Sequence, residues 1–212
     1  LINTLDKKAD IAKVDGIIFR DGAELKKTAQ REFIKDIDIL PFPAWDMLPD
    51  LLAHYQQSAA RINRIPNISL VSSRGCPFKC IFCARNVFGN TTRTHSAGYI
   101  INEIKYLITK YKIKSVSFED ENFVIYRSRL IEFCNRVIEE KIDITWDCAS
   151  NINAINPEIL SLMKKAGCWQ INYGIESGSQ RILDFIKKDI KLEKVSEALK
   201  MTKNAGIVTK GY

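Results

Sequence analysis

The chain has 212 residues, 46% hydrophobic and 27% charged, the balance of an ordinary globular protein long enough to bury a sizeable core. Its net charge of +7 is spread over single Lys and Arg positions and Lys-Lys pairs rather than gathered into a basic arm, which argues against nucleic acid as a partner. No apolar stretch approaches the roughly 20 residues that span a bilayer, no signal peptide is visible, and six cysteines with three clustered are unlike a disulfide framework, so a reducing cytoplasm is the expected compartment.

The first 60 residues read differently from the rest. Gly16-Ile17-Ile18-Phe19-Arg20-Asp21-Gly22 predicts a strand and tight turn, a small hairpin. Pro41-Phe42-Pro43-Ala44-Trp45 is expected to be extended, because each proline biases its predecessor away from helix. From about residue 68, short β-branched runs alternate with helical patterns. Ile68 to Val71 predicts a strand, and the turn-forming Ser72-Ser73-Arg74-Gly75 leads into Cys76-Pro77-Phe78-Lys79-Cys80-Ile81-Phe82-Cys83. Tyr99 to Tyr111 carries Ile100, Ile104, Leu107 and Ile108 at helical spacing, with Ser96 as its cap. A second strand, Ile113 to Phe118, ends in Glu119-Asp120-Glu121, and a helix with Leu130, Cys134 and Val137 on one face follows.

Ile142, Ile144, Trp146 and Cys148 alternate as a third strand, and Asn156-Pro157 opens a helix that Gly167 ends. A fourth strand, Trp169 to Ile175, runs into Glu176-Ser177-Gly178-Ser179. One or two helices follow between Gln180 and Asn204, and Ile207-Val208-Thr209 begins a fifth strand. The chain starts with Leu1 and stops just after that strand, so it is expected to be a piece of a longer protein with one sheet edge open.

Strand, loop, helix and strand repeated with connections this long predict an α/β fold of parallel strands joined by right-handed crossovers. Polar residues follow each strand: the cysteines, Glu119-Asp120-Glu121, Asn151 and Glu176-Ser177. In α/β barrels the site lies at the carboxyl ends of the strands, so all four groups are expected on one rim. Three thiolates within eight residues suit either three irons of a cubane cluster or three sides of a zinc ion. A closed zinc site needs a fourth ligand; His95 is the nearest candidate, but reads as a surface or capping residue. Cys134, Cys148 and Cys168 lie in apolar contexts and read as buried, inert thiols. Three ligands with an open fourth position make sense where the fourth iron binds a substrate.

Cys76-x3-Cys80-x2-Cys83, with aromatic Phe82 before the last cysteine, resembles the signature of the radical S-adenosylmethionine (SAM) superfamily. Pro41-Phe42-Pro43-Ala44-Trp45-Asp46, Arg74-Gly75-Cys76-Pro77, Gly89 with Arg93, Phe118-Glu119-Asp120-Glu121-Asn122-Phe123 and Gly174-Ile175-Glu176-Ser177-Gly178-Ser179 resemble its cobalamin-binding subgroup. The resemblance implies a partial (β/α)6 barrel over residues 61–212, truncated around the fifth strand. Residues 1–60 would be a mostly extended linker and the tail of a cobalamin-binding domain lying outside this chain.

It also implies a [4Fe-4S] cluster on Cys76, Cys80 and Cys83, whose unique iron chelates the amino and carboxylate groups of SAM. Reductive cleavage of SAM to a 5′-deoxyadenosyl radical would serve methyl transfer through methylcobalamin, or radical cyclisation, on a small-molecule substrate. An electron donor such as flavodoxin or ferredoxin is the implied partner. Asp120 or Glu121 suits the ammonium or sulfonium of SAM, Glu176 with Ser177 the ribose hydroxyls or the ammonium, and Phe82 the adenine. Asn151 stands where related proteins often carry an arginine, and Arg93 suits either a carboxylate contact or a structural role. Two competing readings are a tRNA methylthiotransferase, which needs a second cysteine set upstream whereas residues 1–75 hold none, and a zinc-stabilised binding module.

Overall fold

A computed structural model describes residues 1–55, 57–84 and 87–212, with the backbone alone for Leu52. The chain divides into two units, Leu1–Lys35 and Asp36–Tyr212. In the first, helix α1 (Ile2–Asp6) is followed by a 3-10 turn that Asp10 caps by accepting from the Ala12 amide at 2.9 Å. Strands β1 (Ile18–Asp21) and β2 (Glu24–Lys27) then form the expected hairpin, antiparallel and closed around Gly22 at φ +60°.

In the second unit, residues 41–44 carry no regular secondary structure, and the Trp45 amide donates to the Pro43 carbonyl at 2.7 Å. A 3-10 turn (Trp45–Met47), α2 (Leu51–His54) and a second 3-10 turn (Ala59–Arg61) lead to β3 (Asn67–Leu70). Next come β4 (Ser73–Arg74), β5 (Arg93–Thr94), α3 (Ala97–Tyr111), β6 (Ser115–Phe118), α4 (Arg127–Glu139) and β7 (Thr145–Ser150). The chain closes with α5 (Pro157–Lys165), β8 (Cys168–Tyr173), α6 (Gln180–Phe185), α7 (Leu192–Asn204) and β9 (Val208–Gly211). Helix boundaries follow their caps: Ser96 accepts from the Tyr99 amide at 3.0 Å, and Asn156 from the Ile159 amide at 2.9 Å with Pro157 behind it. Gly167 ends α5 at φ +90°, where a Cβ would lie 2.3 Å from the Ile144 carbonyl. Among the described residues, no helix is long and apolar enough to cross a membrane.

The main sheet runs β3-β6-β7-β8-β9, all parallel and in chain order. Strands added one after another in the same direction, each by a right-handed crossover, place their helices on one face, as in a barrel. The fold is therefore a partial α/β barrel of five strands. Ile68, Leu70, Val116, Phe118, Trp146, Cys148, Ile171 and Tyr173 point to the helical side and join Ile104, Leu130, Phe133 and Leu160 in the core. Phe118, Phe123, Phe133 and Trp146 pack there with centroids 4.2 to 5.9 Å apart. The alternate residues, Asn67, Ser69, Ser117, Asp147, Gln170 and Asn172, form a polar inner face.

Residues 36–60 fall in the sheet-bearing unit. Ile37 and Leu51 are buried, and the Trp45 indole donates to Glu103 Oε1 on α3 at 3.2 Å. The expected turn at Ser72–Gly75 contains β4, which pairs antiparallel with β5. That pairing draws His95 inward, its amide donating to the Ser72 carbonyl at 2.9 Å. His95 is thus neither a surface residue nor a cap: its Nδ1 lies 3.0 Å from Asp38 Oδ1 and its ring stacks on Tyr99 at 3.8 Å.

Asp120 corrects a second expectation. Its side chain shows no exposure, because the same alternation that sends Val116 and Phe118 toward the helices sends Asp120 there too. Its carboxylate accepts from the amides of Ser72 and Ser73, each at 2.7 Å, and from the Ser72 hydroxyl. Arg129 completes the clamp, donating to the Ser72 carbonyl and hydroxyl and to the Phe123 carbonyl, with its guanidinium 4.6 Å from the Phe123 ring. Asp120 therefore holds the strand that enters the cysteine loop and has no oxygen turned to a ligand.

Removing Asp120 leaves Arg129 buried beside two orphaned amides. D120A is expected to cost about 3–5 kcal/mol in chemical denaturation, whereas E121A on the exposed neighbour stays within about 0.5 kcal/mol. Equal losses would refute the clamp. Glu103 provides a test by pH. It is 7% exposed, and burial pushes its carboxyl up to about 7 although the Trp45 hydrogen bond pulls the other way. The folded state thus keeps a proton that the unfolded chain releases near 4.5, so stability falls as pH rises from 4.5 to about 7 and then levels. E103Q is expected to match the wild type at acid pH and to exceed it by about 1–3 kcal/mol near pH 8. Denaturant titrations at the two pH values check this, and identical pH dependence would refute it.

Candidate active site

The cysteine loop is set by its flanks. Gly75 adopts φ +87°, and a Cβ there would lie 2.6 Å from the Thr91 carbonyl and 2.9 Å from that of Phe88, so only glycine precedes Cys76 without strain. Thr92 Oγ1 donates to the Gly75 carbonyl at 3.0 Å, and the Ile81 amide donates to the Ile186 carbonyl at 3.0 Å, tying the loop to the end of α6.

Cys76, Cys80 and Cys83 share the wall of one cavity of about 270 Å³ with Phe78 and Phe82. Glu121 and Asn122 follow β6 and form a second side. Ala149, Ser150 and Asn151 line it from the end of β7, and Asn172, Gly174 and Glu176 from β8 and the loop after it. Lys188 and Tyr212 complete the wall. The carboxyl ends of successive strands therefore do converge on one rim.

All six cysteines are free thiols, Cys76 and Cys80 half-buried and Cys83 exposed. Burial pushes the Cys76 thiol above its usual range, and the neighbouring Cys83, Glu121 and Cys80 charges add to it against a hydrogen bond from the Phe78 backbone. Among the described residues, no three His, Cys, Asp or Glu side chains converge on a common metal-ligating point, and His95 is engaged by Asp38. The rim presents three soft sulfurs of one loop on a shared cavity wall. That fits an iron–sulfur cluster with one open iron better than a closed tetrahedral zinc. Cys134, Cys148 and Cys168 are buried on the helical side, and burial pushes Cys134 up to about 12.

Glu176 lines the same cavity as the thiols. Its backbone adopts φ +68°, and its amide donates to the Tyr212 carbonyl at 2.7 Å. Its Oε1 accepts from Lys188 Nζ at 2.9 Å, with side-chain exposures of 28% and 14%. Lys188 is itself flanked by Lys187 at φ +53° and Asp189 at φ +56°. Three non-glycine residues in the left-handed region, each costing about 1–3 kcal/mol, thus bracket one ion pair. Gly174 leaves room for it, since a Cβ there would lie 2.7 Å from Lys188 Nζ and 2.8 Å from Glu176 Oε1. Lys188 Nζ also stands 5.8 Å from the ring centroid of Phe82, a residue 55% exposed.

Phe82, Glu121 and Glu176 therefore join the three cysteines, and Asp120 does not. Ser177 lies off the wall, its Oγ accepting from the Ser179 amide at 3.1 Å. Asn151 lines the cavity, while Arg93 donates to the Phe88 carbonyl at 3.0 Å away from it. Sequence reasoning missed Lys188, Asn172 and Tyr212. Lys188 sits in a Lys-Lys pair that looks like solvated surface, and no sequence signal separates it from its neighbours.

A family profile described as the radical SAM superfamily matches residues 70–211. The chain is 32% identical over 208 residues to an uncharacterised methyltransferase of Pyrococcus horikoshii, an alignment covering 98% of this chain and 44% of that protein. It is 29% identical over 201 residues to an anaerobic magnesium-protoporphyrin IX monomethyl ester cyclase of Cereibacter sphaeroides, covering 93% and 32%. Among solved structures, the cobalamin-dependent S-adenosylmethionine radical enzyme OxsB superposes with a TM-score of 0.83 at 22% identity, over 99% of this chain and 31% of that one. The chain thus spans less than half the length of each of these proteins, and the likeness to OxsB is one of fold. With the profile running from the end of β3 into β9, across every strand that feeds the rim, this chain belongs to the radical SAM superfamily, a family of enzymes that carry a [4Fe-4S] cluster and use SAM.

Proposed function

We propose that the rim cavity holds a [4Fe-4S] cluster on Cys76, Cys80 and Cys83 together with SAM, and that the whole protein uses them for cobalamin-dependent methyl transfer. The observation that carries this reading is three free thiols of one loop lining a single cavity together with a built-in carboxylate–ammonium pair. When bound, the cluster and SAM supply a 5′-deoxyadenosyl radical by reductive cleavage of the sulfonium.

The chain's own groups suit that ligand in turn. The methionyl end of SAM is a zwitterion, and Glu176 with Lys188 is its complement: Glu176 accepts from the ammonium while Lys188 donates to the carboxylate. The pair exchanges partners rather than breaking outright. Phe82 offers a flat apolar face for the adenine, Glu121 an anion near the sulfonium, and Asn122, Asn151 and Asn172 amides for ribose and base edges. Ser177 supports the Glu176 loop instead of touching the ligand.

Methyl transfer is favoured by the methyltransferase of Pyrococcus horikoshii, and radical cyclisation is the second reaction because a cyclase is nearly as similar. The cobalamin-bound form of OxsB supports cobalamin, held by parts of the protein outside this chain, with residues 1–60 as the approach to them. A small-molecule substrate, a low-potential donor such as flavodoxin or ferredoxin, and a cytoplasmic setting complete the reading.

Anaerobically purified full-length enzyme is expected to hold about four irons per chain and to release 5′-deoxyadenosine from SAM and a reductant. Replacing Cys76, Cys80 and Cys83 by Ala removes the iron. K188A is expected to keep the iron while SAM affinity falls about ten- to hundredfold, the loss of one hydrogen bond to a charged group. Zinc in place of iron, with no 5′-deoxyadenosine, would overturn the proposal.

A further inference from the structure

Beneath the cavity, on the inner face of the sheet, lies a second constellation that the proposed chemistry does not use. Arg61 reaches into it from the 3-10 turn before β3. Its Nε donates to Asp147 Oδ2 at 2.9 Å and one terminal nitrogen lies 2.8 Å from the same oxygen. The other terminal nitrogen lies 2.8 Å from both carboxylate oxygens of Glu119. Asp147 has no exposed side-chain surface and Arg61 keeps 14%.

Asp147 Oδ2 has a third donor. The Asn172 amide nitrogen gives it a hydrogen bond at 3.0 Å, while Asn172 Oδ1 accepts from Gln170 at 2.7 Å. Asn172 is also part of the cavity wall. One oxygen of a fully buried carboxylate is therefore shared between an arginine of the turn before β3 and an amide on the wall of the ligand site. These two bonds decide which end of the Asn172 amide is nitrogen, and leave it one N–H and one lone pair for a ligand. The second oxygen, Asp147 Oδ1, is buried without a partner, so nothing else among the described residues compensates this charge.

Arg61 also lies before the region the superfamily profile matches, residues 70–211, whereas Glu119, Asp147 and Asn172 lie inside it. The profile-matched strands bring the anions, and the turn before β3 brings the cation.

We propose that Arg61 is a positioning residue: by neutralising Asp147 and gripping its carboxylate through two N–H groups it fixes the Asn172 amide on the wall of the SAM cavity, and so makes that wall depend on the turn before β3. The inference rests on the SAM reading of the cavity. Without Arg61, the buried Asp147 charge must be relieved by protonation, by water entry or by movement of its strand, and each of these changes the acceptor that orients Asn172.

The test is a double-mutant cycle on SAM binding in the full-length enzyme, at a temperature where every variant is folded. R61Q and N172A are each expected to weaken SAM about tenfold, and the R61Q/N172A pair by no more than about twofold beyond either, because both act on one contact. R61Q/D147N is expected to recover to within about threefold of wild type, since a neutral amide in place of the carboxylate still accepts from Asn172 and needs no cation. A purely structural role would lower melting temperature and leave affinity unchanged. R61Q binding SAM like the wild type, or additive losses in the pair, would overturn the proposal.

Should R61Q fail to fold, R61K takes its place. It keeps the charge, but an ammonium cannot grip two carboxylates in the same plane. It must weaken SAM binding, and wild-type affinity would be fatal. If the wild type itself does not bind SAM, the reading of the cavity fails separately. The Asn172 side-chain amide resonance of ligand-free protein then decides: R61Q or R61K must shift it and R61Q/D147N must restore it, and an unmoved signal refutes the coupling.

Discussion

The burial of Asp147 in the middle of the sheet is the constraint on which the rest of the architecture depends. Parallel sheets are commonly apolar on both faces, because helices cover both. Here one face follows that rule and the other carries Asn67, Ser69, Ser117, Asp147, Gln170 and Asn172. Taking a carboxylate from water costs several kcal/mol unless a cation and hydrogen bonds replace the hydration. Arg61 and Asn172 supply them. Gln57 adds a bond to Glu119 at 2.9 Å. Residues 36–60 fall in the same compact unit as the sheet, and Gln57 with Arg61 covers part of its polar inner face.

A second buried carboxylate does comparable work on the helical side. Asp120, Ser72 and Arg129 lock β4 against the loop after β6, and the Phe118–Phe123–Phe133–Trp146 cluster holds that loop from beneath. The cysteine loop thus leaves a fixed strand and returns to α6 through the Ile81 amide. Strain sits at Glu176, Lys187 and Asp189, where the backbone is bent to bring one ion pair together. Rigid support and stored strain are what a preorganised binding site needs, since a ligand then pays little to order the groups that contact it.

Much of this was legible in the sequence, for identifiable reasons. Caps at Ser96 and Asn156, the stop at Gly167 and the period-two strands depend on residues close together in the chain, and they place the cysteines, Glu121 and Glu176 on one rim. The acidic run after β6 was harder. Glu119, Asp120 and Glu121 are alike in composition, but the alternation that buries Val116 and Phe118 continues through Asp120; the signal was present and pointed away from a ligand role. Lys188 carried no such signal, because its orientation comes from left-handed turns at Lys187 and Asp189 where a glycine would have announced them. Arg61 and Asp147 are 86 residues apart, and no local pattern reports a pair at that separation.

Charge explains why these pieces belong together. The cavity wall holds three thiols, Glu121 and Glu176, and among its described residues Lys188 is the one cation. Burial pushes the Cys76 thiol above its usual range, and a bound cluster would displace the thiol protons and gather anions at the rim. Lys188 is already committed to Glu176. On the proposed reading, the remaining anions would be met by cations from outside the chain: iron at the sulfurs, and a ligand bearing positive charge beside Glu121 and Glu176. A sulfonium carrying an ammonium meets that demand, whereas a neutral or anionic ligand would leave the carboxylates and thiolates facing one another in a partly dry cavity. Arg61 moderates the same excess from below, where it neutralises Asp147 without entering the cavity, so that the cavity keeps its preference for cations while its floor remains foldable.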